Sequence, residues 1–207
     1  MIRDIISNDL LTILLFCSLF LVIFLKKIEP TLFYLNLSLR KKELRNKLIN
    51  NSLSIRLTDI CYKILFLSNI SILITFYQIK YFDHQIYFKL LKIFSIFYLF
   101  KILIDFLIGI LFNVKKNLKN YIYSKLIYRN SLGLIILLFN FFIAYSYVNN
   151  HIFISISITF SLFYLIFSYT AIFFSMKKVI IKNWFYFILY LCTLEIIPYY
   201  YLISNVL

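Results

Sequence analysis

Three ionisable side chains stand where a bilayer would tolerate them least. Glu195 lies inside the last apolar run, 184–203, and Lys101 and Asp105 lie inside the third, 86–112. A charge at membrane depth is expensive, so it normally faces protein and normally has a partner. Pro198, about one turn after Glu195, removes a backbone donor and leaves a kink and a free carbonyl near the acid. At about 1.5 Å per residue, Glu195 sits roughly 16 Å from Trp184, and Lys101 sits at a similar depth in its own run. The two could meet, with Asp105 one helical turn away. Two chemistries follow from such a cluster. One is a mid-membrane site in which Glu195 titrates and Lys101 binds an anionic group. The other is a buried pair that fixes how two helices pack. Lys101 and Asp105, four residues apart, could instead neutralise each other.

Other chemistries lack their residues. Gly109 and Gly133 are the only glycines, so no Gly-rich phosphate loop can form. His84 and His151 are isolated in polar turns, without the paired spacing of metal ligands. With no histidine at membrane depth, a Ser-His-Asp triad cannot assemble there. Cys17, Cys61 and Cys192 have no short spacing and read as small buried apolar residues. No cofactor and no metal is expected, and the balance leans away from an enzyme.

The elements that would carry these charges are membrane spans. The chain has 207 residues, of which 63% are hydrophobic and 21% aromatic. Several runs reach the roughly 20 apolar residues that cross a bilayer, and they lack the alternation of barrel strands. The expected fold is an all-α polytopic transmembrane helix bundle forming a single integral membrane domain, 1–207. Six spans are expected at about 10–25, 57–79, 86–112, 132–148, 152–176 and 184–203. The net charge of +14 would suggest nucleic acid in a soluble protein, but the basic residues flank apolar runs instead. The stretches 26–56, 113–131 and 177–183 carry 8, 5 and 3 basic residues, against only Arg3 and Lys80 on the other side. That asymmetry places the three basic stretches in the cytoplasm and both termini outside. A composition rich in Ile, Phe, Tyr, Asn and Lys is also that of an AT-rich genome, which accounts for part of the basic excess.

Local patterns refine this layout. In the first basic stretch Phe33, Leu37, Leu44 and Leu48 can share one side of a helix, beside Arg40, Lys41, Lys42, Arg45 and Lys47. This reads either as an interfacial helix contacting anionic headgroups or as a solvated cytoplasmic helix. Asp59 and Lys63 have the favoured spacing and order for a helical ion pair. The fifth span is lined by Ser155, Ser157, Thr159, Ser161, Ser168 and Thr170, which can bond across helices or back to their own backbone.

The ending has a more specific character. "NWFYFILYL" followed by "YLCTLEIIP" resembles the closing signature of a Bacteroidota family of integral membrane proteins, catalogued as domain of unknown function 4271. The early span followed by a basic, aromatic-containing stretch at 26–47 resembles that family as well. The resemblance marks Tyr190, Cys192, Glu195 and Pro198 as its signature positions. It implies an inner-membrane address in a Gram-negative cell and brings no assigned activity. The combined expectation is a multi-pass inner-membrane protein, a non-enzymatic scaffold or accessory component of a cell-envelope process. The alternative is a carrier or enzyme for a lipid-linked or proton-coupled substrate, using Glu195, Lys101 and Asp105. The expected partners are a bilayer with anionic headgroups and a further membrane protein, with no nucleic acid.

Overall fold

A computed structural model describes residues 9–37, 57–79, 81–111, 115–146 and 150–182. Among the described residues every regular element is a helix: α1 (Asp9–Ile28), α2 (Pro30–Leu37), α3 (Leu57–Ile79), α4 (His84–Leu111), α5 (Lys115–Tyr145) and α6 (Asn150–Lys182). Among the described residues, four stretches are long and apolar enough to cross a membrane: Asp9–Ile28, Thr58–Ile79, Ser124–Tyr145 and Ile152–Phe174. The 28 residues of α4 reach about 42 Å, also a bilayer's length, but Lys89, Lys92 and Lys101 interrupt its apolar surface. The basic residues from Lys115 to Arg129 are helical, continuous with the apolar half of α5.

Local chemistry sets the helix ends. In α1, Asp9 in the first turn and Lys26 and Lys27 in the last complement the helix dipole. Pro30 has no N–H and breaks the helix at Glu29. Two backbone bonds bridge that break, from Glu29 N–H to Leu25 O and from Phe33 N–H to Glu29 O, each 3.1 Å. The chain therefore bends rather than leaving α1, and α2 folds back onto the bundle with Leu32 and Asn36 buried. Asp83 caps α4, its carboxylate accepting from the Gln85 N–H at 2.8 Å.

Side-chain pairs give the directions. Leu65 and Phe66 lie against Gly133, and Asn69 lies against Asn140, so α3 and α5 run the same way. Phe139 meets Phe160 while Lys125 meets Tyr169, so α6 returns antiparallel to α5. Phe76, Phe82 and Tyr87 cluster where α3 hands over to α4, and Lys63 meets Tyr98 further along both, so these two are antiparallel. Helix α1 runs against α3 and α5, with Leu11 and Leu15 in the cluster that holds Phe76, and Leu25 beside Tyr62, Leu65 and Leu134. One end of the bundle thus gathers Lys26 and Lys27, the start of α5 with Lys115, Lys116 and Lys119, and the end of α6. The opposite end gathers Asp9 and the α3–α4 turn.

The centre is α3 against α5, the most extensively contacting pair. Gly133 makes that approach possible. A Cβ there would stand 3.2 Å from both the Cα and Cβ of Phe66, and 3.4 Å from Leu65 Cδ2. Small residues let helix backbones draw together in lipid, where packing replaces the hydrophobic drive between helices. The outer faces are apolar: Phe16, Phe20, Phe163, Ile166 and Phe174 are all exposed, as an acyl-chain solvent favours.

Candidate functional site

Polar side chains that meet across helices cluster along the seam of α3 and α5 and the helices beside it, at three levels. At the middle, Asn69 and Asn140 are both fully buried. The Asn140 amide donates to the Asn69 backbone carbonyl at 2.9 Å and to the Asn69 side-chain oxygen at 3.3 Å. Asn69 in turn donates to Leu65 O at 2.8 Å, and Thr75 to Ser71 O at 2.8 Å. The last two bonds stay within α3, whereas the Asn140–Asn69 contact crosses between helices, and in a dry interior such an interhelical tie is worth on the order of 1 kcal/mol.

Nearer the basic end, Ser131 of α5 joins three helices. Its hydroxyl lies within bonding reach of the Asn36 carbonyl in α2 and of Ile127 O, the latter at 2.9 Å, and the Tyr164 side chain of α6 lies beside it. The Asn36 side chain sits against Tyr62. Among the described residues, the Asn36 amide, the Tyr62 hydroxyl and the Thr58 hydroxyl are all buried without a hydrogen bond of good geometry. Thr58 and Tyr62 are one turn apart on α3, which places both on the same side of that helix.

At the third level the seam becomes cationic. Arg129 of α5 donates to the Tyr98 hydroxyl of α4 at 2.6 Å. Its guanidinium carbon lies 4.4 Å from the Tyr98 ring centroid and 5.8 Å from that of Phe66. Lys63 of α3 approaches the same Tyr98 ring, with Nζ 5.8 Å from its centroid. Among the described residues neither cation makes an ion pair, and the Asp59–Lys63 pair expected from spacing is not formed. Aromatic faces stabilise the two cations, but each such contact contributes only about 0.5–2 kcal/mol. Two positive charges within about 10 Å of each other repel by on the order of 1–2 kcal/mol at an effective dielectric near 20. An arrangement of fixed donors, with no carboxylate paired to either cation among the described residues, suits an anion.

Lys101 is buried in α4, 8% exposed. Asp105 belongs to the same helix, one turn on, and its side chain is outside the description. Glu195, Tyr190, Cys192 and Pro198 lie outside the described residues, as do Arg40, Lys41, Lys42, Arg45 and Lys47. Cys17 is exposed on α1 rather than buried, because it faces away from α3 and α5, and Cys61 is half-buried. The hydroxyls of α6 bond their own backbone: Ser157 to Phe153 O, Ser161 to Ser157 O and Ser168 to Leu165 O, each at 2.7 Å. Among the described residues no group of three or more His, Cys, Asp or Glu side chains could hold a metal.

Asn69, Asn140 and the Arg129–Tyr98–Lys63 group were not singled out from sequence. An asparagine in the middle of each of two apolar runs was a usable signal for the first pair. Arg129 reads as a loop cation until the helix is known to begin at Lys115.

The family profile described as "Domain of unknown function (DUF4271)" matches residues 11–206. The chain belongs to that family. The match runs through all the described helices and on through the ending that carries "YLCTLEIIP". No curated protein and no solved structure matches the chain.

Proposed function

We propose that this DUF4271 chain is a multi-pass inner-membrane protein that serves a cell-envelope process as a non-enzymatic scaffold or accessory component. In this reading six spans cross the membrane with both termini outside, and the cell is a Gram-negative one of the Bacteroidota. The observation that carries it is how the seam uses its central polar groups: Asn140 of α5 bonds to Asn69 of α3, and Ser131 of α5 reaches the Asn36 carbonyl of α2. Groups used in that way hold a bundle together rather than handle a substrate. The gathering of lysines at one end of the bundle supports the orientation.

The burial of Lys101 favours a second reading, a carrier or enzyme in which Glu195, Lys101 and Asp105 bind a lipid-linked or proton-coupled substrate. One experiment separates the two. Glu195→Gln keeps the shape and hydrogen bonding of the side chain but cannot ionise. In the native host, growth and envelope integrity are scored against the level of membrane-inserted protein. The scaffold reading expects normal function. Loss of function at normal protein level would mean that the charge itself is used, and the carrier or enzyme reading would take its place.

A further inference from the structure

We propose that Arg129, Lys63 and Tyr98 form a binding site for the phosphate of an anionic phospholipid, where α4 lies against α3 and α5 at the basic end of the bundle. Four observations lead there. The first is the convergence of two cations from different helices on one tyrosine, with no carboxylate paired to either among the described residues. The second is preorganisation. The Tyr98 hydroxyl and the two rings hold the Arg129 guanidinium in one place, so its donor fork needs little further ordering to grip a phosphate. The third is an unmet donor, since the Arg129 Nε is buried and has no hydrogen-bond partner among the described residues.

The fourth is depth. Lys63 and Arg129 each lie about 7 Å along their helices from the basic ends of the candidate spans Thr58–Ile79 and Ser124–Tyr145. That is within snorkelling distance of the headgroup layer, whereas a soluble anion would have to leave water to reach it. The neighbouring surface suits an acyl chain. Ile60 and Ile64 flank Lys63 on α3, Leu99 and Phe100 follow Tyr98 on α4, and all four are exposed. A lipid can therefore place its phosphate on the cations and its tail along these apolar residues. This site is separate from the basic stretch 40–47, and it would stand whether or not the scaffold reading does.

The test uses the full chain purified in detergent and native mass spectrometry with added phosphatidylglycerol or phosphatidylcholine. The wild-type protein is expected to retain phosphatidylglycerol preferentially. Arg129→Gln should weaken that retention on the order of tenfold, the loss of a charge-assisted hydrogen bond, and leave phosphatidylcholine unchanged. Lys63→Gln should weaken it less, and Lys89→Gln, near the other end of α4, should not change it. Should Arg129→Gln fail to insert, Tyr98→Phe keeps the ring and its packing, removes only the hydroxyl that orients the guanidinium, and is expected to lower retention several-fold. Wild-type phosphatidylglycerol preference in Arg129→Gln, or in Tyr98→Phe where that variant stands in for it, overturns the proposal. Displacement of the bound lipid by excess inorganic phosphate overturns it too, because the site would then be one for free phosphate.

Discussion

Replacing Asn140 by alanine probes the bond that ties the two central helices together. The structure gives this amide two acceptors of unequal quality, the Asn69 backbone carbonyl at 2.9 Å and the Asn69 side-chain oxygen at 3.3 Å. In lipid the reference for unfolding is a separated helix, where the asparagine amide is no better satisfied than in the bundle. The loss is therefore near that of an interhelical bond plus a small cavity, about 1–2 kcal/mol. Asn69→Ala should be milder. It deletes the weaker of the two contacts and a bond to Leu65 O that lies within α3. The decisive quantity is the coupling between them. The 2.9 Å bond ends on a backbone carbonyl that no side-chain substitution at 69 removes. The double-mutant cycle should therefore return less than about 0.5 kcal/mol, well below the Asn140→Ala loss itself. The assay is reversible unfolding of the purified chain from mixed micelles by sodium dodecyl sulfate, followed by near-ultraviolet circular dichroism of its packed aromatic side chains. A coupling as large as the whole Asn140→Ala effect would refute the reasoning, since the two side chains would then be recognising each other.

Two further outcomes follow from the same packing. Gly133→Ala is expected to be near neutral, the gain in helix propensity offsetting a shift of a few tenths of an ångström at Phe66, whereas Gly133→Ile should cost about 1–3 kcal/mol in the same unfolding assay. A Gly133→Ile protein as stable as the wild type would show that α3 and α5 do not approach closely there. For orientation, single cysteines are introduced into a cysteine-free chain and treated with a membrane-impermeant maleimide in intact spheroplasts. Asp83→Cys should react directly and Lys116→Cys only after permeabilisation; the reverse pattern would invert the proposed topology.

The composition and apolar runs of this chain determined its class, a helical protein with stretches able to cross a membrane, because only helices satisfy their own backbone within lipid over such lengths. The lysines at the run ends marked the basic side, since charge next to an apolar run can be read residue by residue. The closing run 190–198 carried the family, which the match over 11–206 bears out.

Tertiary structure decided which polar residues face one another, and there the one-dimensional reading had no purchase. Spacing made Asp59 the natural partner of Lys63, but Lys63 turns to Tyr98, because α4 brings an aromatic face beside it that a single-helix rule does not contain. Cys17 reads as buried by residue type and is exposed, because in lipid an apolar side chain has no need of protein to cover it. Asn69 and Asn140 sit 71 positions apart, and nothing in either run alone indicates that Gly133 lets their helices close until the two amides meet. Hydropathy is a property of each segment taken separately. Which face of a segment meets which neighbour depends on rotation and register between helices, and those are set by the packing of the whole bundle.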